Sequence, residues 1–306
     1  MFLTNCEGWP GLEAAREALE SSRPALDVVE SGIRPVEAEP SVDSVGRGGS
    51  PNLLGEVACD AAIMDGETLR AGSVGYLKDY LHAISVARQV MERLPHVMLV
   101  GDGAHRFADE IGAERAEMLT PDARRRYEGW MEKHAPADVR GAVSRAALTG
   151  YAWESAKEFG SGGTVVFLVR DANGRIAAGA STSGWPMGYP GRLGDTPVVG
   201  AGLYADSGCG ACACTHTGEM ALRAGTPRSV VLYMKAGASV EEACQKAVRD
   251  LGALRGGQQG ALVIHAIDRD GNACVVTNRD MGEKSSYYRW SEEMLQPEHR
   301  QARVVT

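Results

Sequence analysis

A chain of 306 residues with 44% hydrophobic content can bury one large core or two smaller ones, because single domains run to about 250 residues. Its net charge of −8 comes from interspersed acids and bases without a basic stripe, which argues against nucleic acid as a partner. No segment reaches the ~18 apolar residues of a membrane span, and the opening Met-Phe-Leu-Thr-Asn-Cys has neither a basic region nor a long apolar stretch, so the expected compartment is cytoplasmic.

In the first half, strand-like and helix-like segments alternate. Leu12, Ala15, Ala18 and Leu19 recur on one helical face. Residues 56–64 read as a strand ended by Asp65-Gly66. Leu77, Leu81, Ile84 and Met91 share a second helical face, and residues 96–100 form a short apolar strand. Residues 122–133 are densely charged and residues 135–163 show little sustained apolar period, which predicts a linker.

Residues 165–169 are a β-branched and aromatic run leading through Asp171-Ala172-Asn173-Gly174 into residues 176–180, a strand, tight turn and strand. A second such unit spans residues 261–276 and turns at Asp270-Gly271. Between them Ser239 and Glu242 form a capping box ahead of Val240, Ala243, Cys244, Ala247, Val248 and Leu251 on one helical face. Seven cysteines, an odd number, fit reduced thiols. Cys209, Cys212 and Cys214 have no second pair at zinc spacing beyond His216, so a strand or tight turn is preferred to a metal site there. Together these elements predict an α+β fold of packed sheets with helices outside.

The chemistry centres on Ser161-Gly162-Gly163-Thr164. If the chain is cut between Gly163 and Thr164, Thr164 becomes an N-terminal nucleophile whose own α-amine, titrating at about 7.7 to 8.0 when unperturbed, can take the hydroxyl proton. Downstream, Ala180-Ser181-Thr182 supplies a second hydroxyl, with Thr182 able to hydrogen-bond the attacking group. In Pro190-Gly191-Arg192-Leu193-Gly194-Asp195, the Arg192 guanidinium suits an α-carboxylate and Asp195 an α-ammonium. Cys214-Thr215-His216-Thr217-Gly218-Glu219 runs from a strand end into a helix start, where a hydroxyl and backbone N–H groups can stabilise an oxyanion.

With those four blocks in order, the chain resembles the asparaginase type 2 group of N-terminal nucleophile hydrolases, which includes glycosylasparaginase, plant-type L-asparaginase and isoaspartyl peptidase. The resemblance runs from Asn5 to about Asn278. It implies a four-layer αββα sandwich in one domain, synthesis as a precursor, and cleavage by an N-to-O acyl shift into an α chain 1–163 and a β chain 164–306, paired as a dimer of heterodimers. It also implies that Thr164 attacks the side-chain amide of an aspartyl substrate to give a β-aspartyl ester, with no metal or cofactor. Thr182 supports the nucleophile, Arg192 and Asp195 hold the α groups with Gly218 beside them, and Thr215 with the N–H of His216 forms the oxyanion hole.

The first half, with Ala25-Leu-Asp-Val-Val-Glu-Ser-Gly32 and Ser44-Val-Gly-Arg-Gly-Gly-Ser50-Pro51, looks most like the glycosylasparaginase branch, where a tryptophan near the start and a glycine-rich loop line the pocket. Trp9 and Ser50 are the positional candidates. Three positions depart from the pattern. His216 stands where the family has Gly, Gly163 where some members carry an Asp that assists cleavage, and Gly162 where a His is usual. The expected reaction is cleavage of N4-substituted asparagine, with isoaspartyl dipeptide or asparagine hydrolysis as the alternative. A non-catalytic member that binds a small amino acid or a metal is the remaining reading.

Overall fold

The computed structural model describes residues 1–160 and 162–305; Ser161, which opens the glycine-flanked stretch, lies outside the described residues. The first half runs β1 (Phe2–Asn5), α1 (Leu12–Glu20), α2 (Ala25–Ala38), β2 (Cys59–Asp65), β3 (Ala71–Leu77), α3 (Ala83–Arg93), β4 (Met98–Val100) and α4 (Gly101–Glu110). Three helices follow, α5 (Pro121–His134), α6 (Ala137–Gly141) and α7 (Thr149–Phe159). The second half runs β5 (Val165–Arg170), β6 (Ile176–Thr182), β7 (Leu203–Asp206), β8 (Gly210–His216), α8 (Gly218–Ala224), α9 (Thr226–Lys235), α10 (Val240–Gly252), β9 (Leu262–Asp268) and β10 (Ala273–Thr277). Three short strands close it, β11 (Ser286–Trp290), β12 (Glu298–Gln301) and β13 (Arg303–Val304).

These form a mixed α/β fold with two sheets. The eight-stranded sheet has the order β12-β11-β1-β5-β6-β2-β3-β4, and the five-stranded sheet β13-β10-β9-β8-β7. One apolar cluster joins Val166, Leu168 and Ala180 of the first sheet to Ala211, Ala213 and Val263 of the second. The alternate residues of the first sheet, such as Val165, Phe167 and Ile63, pack with Val29 and Ile33 of α2 and Ile84 of α3. On the second sheet Cys212, Cys214 and Ile264 meet Val230 of α9 and Ala247 of α10. A strand buried on both faces carries apolar residues at every position, which is why residues 165–169 read as an unbroken run.

Elsewhere the structure departs from the sequence pattern. Leu77 ends β3 and Leu81 precedes α3, because Tyr76 and Asp79 take positive φ (53° and 64°) and break any helix there. The strand expected at residues 56–64 begins only at Cys59. Residues 135–163 are no simple linker. They carry α6, a single turn at Val143–Arg145 and α7, and with α5 they enclose a satellite cluster of Leu53, Trp130, Met131, Leu148 and Met187. Cys212 and Cys214 lie in β8 with their side chains in the core, and burial pushes both thiols up. Among the described residues no group of three or more His, Cys, Asp or Glu is disposed around a metal position, and no helix is long and apolar enough to cross a membrane.

Candidate active site

Thr164 stands immediately before β5 and is 6% exposed. Its place is set from two sides. On one, β1 runs antiparallel to β5, with Thr4 paired to Phe167. Just past that pairing the Asn5 amide donates to the Thr164 carbonyl at 2.7 Å and accepts the Val166 N–H at 3.0 Å, fixing the backbone around Thr164. On the other, the Val165–Ser181 pairing brings the end of β6 alongside. There the Thr182 hydroxyl donates to the Gly163 carbonyl at 2.7 Å while accepting the Gly184 N–H at 3.0 Å. A hydrogen bond to that oxygen polarises the Gly163–Thr164 amide.

The Arg192 guanidinium donates through Nε and Nη2 to one oxygen of Glu219, at 3.0 and 2.8 Å, and lies over the Trp185 ring. Asp195 is 6% exposed and its Oδ2 is buried without a hydrogen-bond partner among the described residues, as is the second oxygen of Glu219. Burial pushes Asp195 up to about 7, against the pull of Arg192 and with the push of Glu219 and Asp60. Asp60, raised by burial to about 6, accepts the Tyr76 N–H at 2.8 Å. Three carboxylates thus surround one guanidinium, a surplus of negative charge that suits an added ammonium group. Gly218 is required by closeness. A Cβ there would stand 2.2 Å from Asp195 Oδ1, so any side chain would push the carboxylate away.

Thr215 is 2% exposed, and its hydroxyl lies 3.4 Å from Nε2 of His265, a residue that no local sequence signal marks. Burial lowers His265 to about 3, so it is a neutral imidazole at working pH. His216 adopts φ +84°, the region that favours glycine, which accounts for the Gly that the family pattern expects here. Its Nε2 is 3.0 Å from the Lys284 carbonyl, which can only accept, so that nitrogen carries the proton. Burial lowers the imidazole below its ordinary value, opposed by the Lys284 and Gly162 backbone.

Two cavities flank the Gly163–Thr164 bond. The larger, about 520 Å³, is bounded by Cys6, Glu7, Ser44, Ser50, Met187 and Lys284 among others. The smaller, about 10 Å³, is lined by Thr164, Thr182, Arg192 and Asp195. Gly162, Gly163 and His216 line both, so this segment is the wall between them. Ser50 faces the larger cavity, its N–H donating to Ser183 Oγ at 2.8 Å and its hydroxyl to the Asp43 carbonyl at 2.9 Å. Trp9 does not. It sits on the outer side of the turn Cys6–Gly11, 50% exposed, and lines neither cavity; the residues of that turn that do are Cys6 and Glu7. Thr215 also lines neither.

Glu7, Asn5, Ser44, Asp60 and His265, which no motif in the sequence marks, also stand against the candidate residues. Asn5 and Glu7 carried one available clue, a buried-looking strand running into polar residues ahead of the first helix.

Comparison with known proteins assigns the class. A family model described as asparaginase matches residues 11–289. An N(4)-(beta-N-acetylglucosaminyl)-L-asparaginase of Mus musculus is 36% identical over 257 residues, covering 78% of this chain and 74% of that protein. A protein of the same name from Elizabethkingia miricola is 36% identical over 241 residues, covering 78% and 66%. An isoaspartyl peptidase of Salmonella typhimurium is 35% identical over 270 residues, covering 88% and 82%. The protein is therefore an amide-cleaving hydrolase by class. The chain belongs to the asparaginase family.

Proposed function

We propose that the protein is a self-processing threonine amidohydrolase that cleaves the side-chain amide of N4-substituted asparagine. The observation that carries this reading is the Thr182 hydroxyl on the Gly163 carbonyl at 2.7 Å, a donor on the oxygen that becomes an oxyanion when the next residue's hydroxyl attacks. Cleavage yields an α chain 1–163 and a β chain 164–306, folded as one four-layer αββα domain and paired as a dimer of heterodimers. It also removes the tether on the wall between the two cavities, giving substrate a path to Thr164.

In the mature enzyme Thr164 Oγ attacks the aspartyl side-chain carbonyl carbon while the α-amine takes its proton. The C–N bond breaks, the amine leaves with a proton, and water resolves the β-aspartyl ester. Arg192 turns from Glu219 to the substrate α-carboxylate, and the unpartnered oxygens of Asp195 and Glu219 accept the α-ammonium. Thr215, held by His265, and the N–H of His216 stabilise the oxyanion.

Isoaspartyl dipeptide or asparagine hydrolysis is the second reading. It is favoured by the larger share of both chains matched by the Salmonella typhimurium relative than by the murine one. Denaturing electrophoresis of the purified protein is expected to give two bands of the sizes of residues 1–163 and 164–306, and Thr164→Ala one band. A wild-type chain that stays whole and inactive overturns the proposal. Turnover of aspartylglucosamine, β-aspartyl dipeptides and asparagine by the processed enzyme then decides the substrate.

A further inference from the structure

Self-cleavage needs a group that takes the Thr164 hydroxyl proton before any free α-amine exists. Gly163 offers no side chain for this, and the residue against it comes from far away in sequence. A Cβ built on Gly163 would stand 2.0 Å from Glu7 Oε1 and 2.5 Å from Ser44 Oγ. The glycine therefore leaves a space that the Glu7 carboxylate fills, against the scissile residue. Glu7 arrives there because β1 pairs with β5 and then turns at Cys6–Gly11, the β1–β5 register running toward Thr164. Its Oε2 is buried without a hydrogen-bond partner among the described residues.

We propose that Glu7 is the proton carrier of self-cleavage at Gly163–Thr164, an assignment that rests on the self-processing reading above. Thr164 Oγ attacks the Gly163 carbonyl carbon and its proton passes to the Glu7 carboxylate, while the Thr182 hydroxyl holds the oxyanion. The intermediate collapses by breaking the C–N bond, and the Glu7 carboxylic acid returns the proton to the Thr164 nitrogen. The product is an ester between Gly163 and Thr164 Oγ with a free α-amine. Water hydrolyses it to the Gly163 carboxylate and the Thr164 hydroxyl. Water is the only added reactant, and the proton released as the Gly163 carboxylate forms is taken up by the Thr164 α-amine.

The surroundings tune Glu7 for both halves of this exchange. Burial raises it to about 7, opposed by the Ser44 hydroxyl, reinforced by the Asp43 charge, and opposed further by the Thr164 N–H and the Asn5 side chain. The Thr164 N–H is the nitrogen that must be protonated as the bond breaks. The other charged or titratable groups on the same cavity are Cys6, Arg126, Lys133, Glu158, His216 and Lys284. Of these, the Cys6 thiol is pushed up to about 12 by burial and is no base at neutral pH. The His216 Nε2 proton is committed to the Lys284 carbonyl.

The full chain made by cell-free synthesis, pulse-labelled and followed by denaturing electrophoresis, tests the assignment. The wild-type cleavage rate is expected to rise with pH up to about 7 and then level, since Glu7 accepts a proton only when ionised. Glu7→Gln is expected to slow cleavage about 100-fold or more, and Glu7→Ala to regain rate with added formate, which a merely structural role would not allow. Cleavage of Glu7→Gln at the wild-type rate, or slowed variants with a flat wild-type pH profile and no formate rescue, overturns the assignment and leaves self-processing intact. A wild-type chain that yields no 1–163 and 164–306 fragments overturns both.

Discussion

In the proposed chemistry Thr182 joins the two halves, because its hydroxyl donates to the Gly163 carbonyl of the intact chain. Replacing it with valine keeps the shape and removes the donor. Loss of a single oxyanion donor of this kind costs about 10² to 10³ in rate. Thr182→Val is therefore expected to slow the appearance of the two fragments by about that factor while the fold survives, as a time course of denaturing gels with a melting curve will show. The structure brings Thr164, Thr182, Arg192 and Asp195 around one small cavity, and the local signature of each was legible in sequence: Thr164 between glycines and a strand, Thr182 at a strand end, Arg192 and Asp195 in a glycine-rich loop. Asn5, Glu7 and His265 were not, because their roles come from strand pairing across the chain; Asn5 meets residues 164 and 166 only when β1 lies beside β5. Trp9 shows the cost of reading residue type without register. Two positions decide whether a side chain on that turn faces the cavity or solvent.

Elements whose signals are local were also the ones read correctly. Helix α10 carries its capping box, with the Glu242 N–H donating to Ser239 Oγ at 3.3 Å and the Ser239 N–H to Glu242 Oε2 at 3.0 Å, and its apolar face is buried as the spacing requires. Ser239→Ala removes the hydroxyl that satisfies an otherwise unpaired N–H at the helix start. It is expected to lower stability by about 1 kcal/mol in chemical denaturation without changing turnover, because α10 packs on the second sheet away from Thr164. Helix α7 failed the same kind of reading for the opposite reason. Only Ser155 of its residues is buried, Trp153 and Phe159 are exposed, and its half-buried residues Tyr151 and Ala152 meet a small satellite cluster, so no sustained apolar stripe is written into residues 149–159. The α3 face differs from the helical spacing because Leu77 belongs to β3, and positive φ at Tyr76 near the end of that strand and at Asp79 beyond it interrupts what reads as one helical period.

At the scale of the whole molecule, several buried titratable groups tie stability to pH, with opposing signs. A carboxyl raised above its unfolded value holds its proton more tightly in the folded chain, so its contribution is full at acid pH and is lost as pH rises through the folded value. Asp195 and Glu7, both near 7, behave this way, and Asp60 does so nearer 6. His265 runs the other way. Lowered to about 3, it contributes fully above its unfolded value of 6.5 and loses that contribution as pH falls. The Met1 α-amine, lowered to about 6 mainly by burial, also stabilises as pH rises. A bare melting curve mixes these terms, so the carboxylate is isolated by difference. In a Thr164→Ala background, which keeps the chain whole, Asp195→Asn carries no titrating proton at that position. From pH 6.5 to 8 the Asp195 parent is expected to lose about 1 kcal/mol relative to the Asp195→Asn variant, since a group with a folded value near 7 ionises across that window. Paired denaturation curves at the two pH values measure it. A stability gap that stays constant between them would mean that Asp195 is already ionised at pH 6.5, and that the guanidinium of Arg192 outweighs burial in the uncut site.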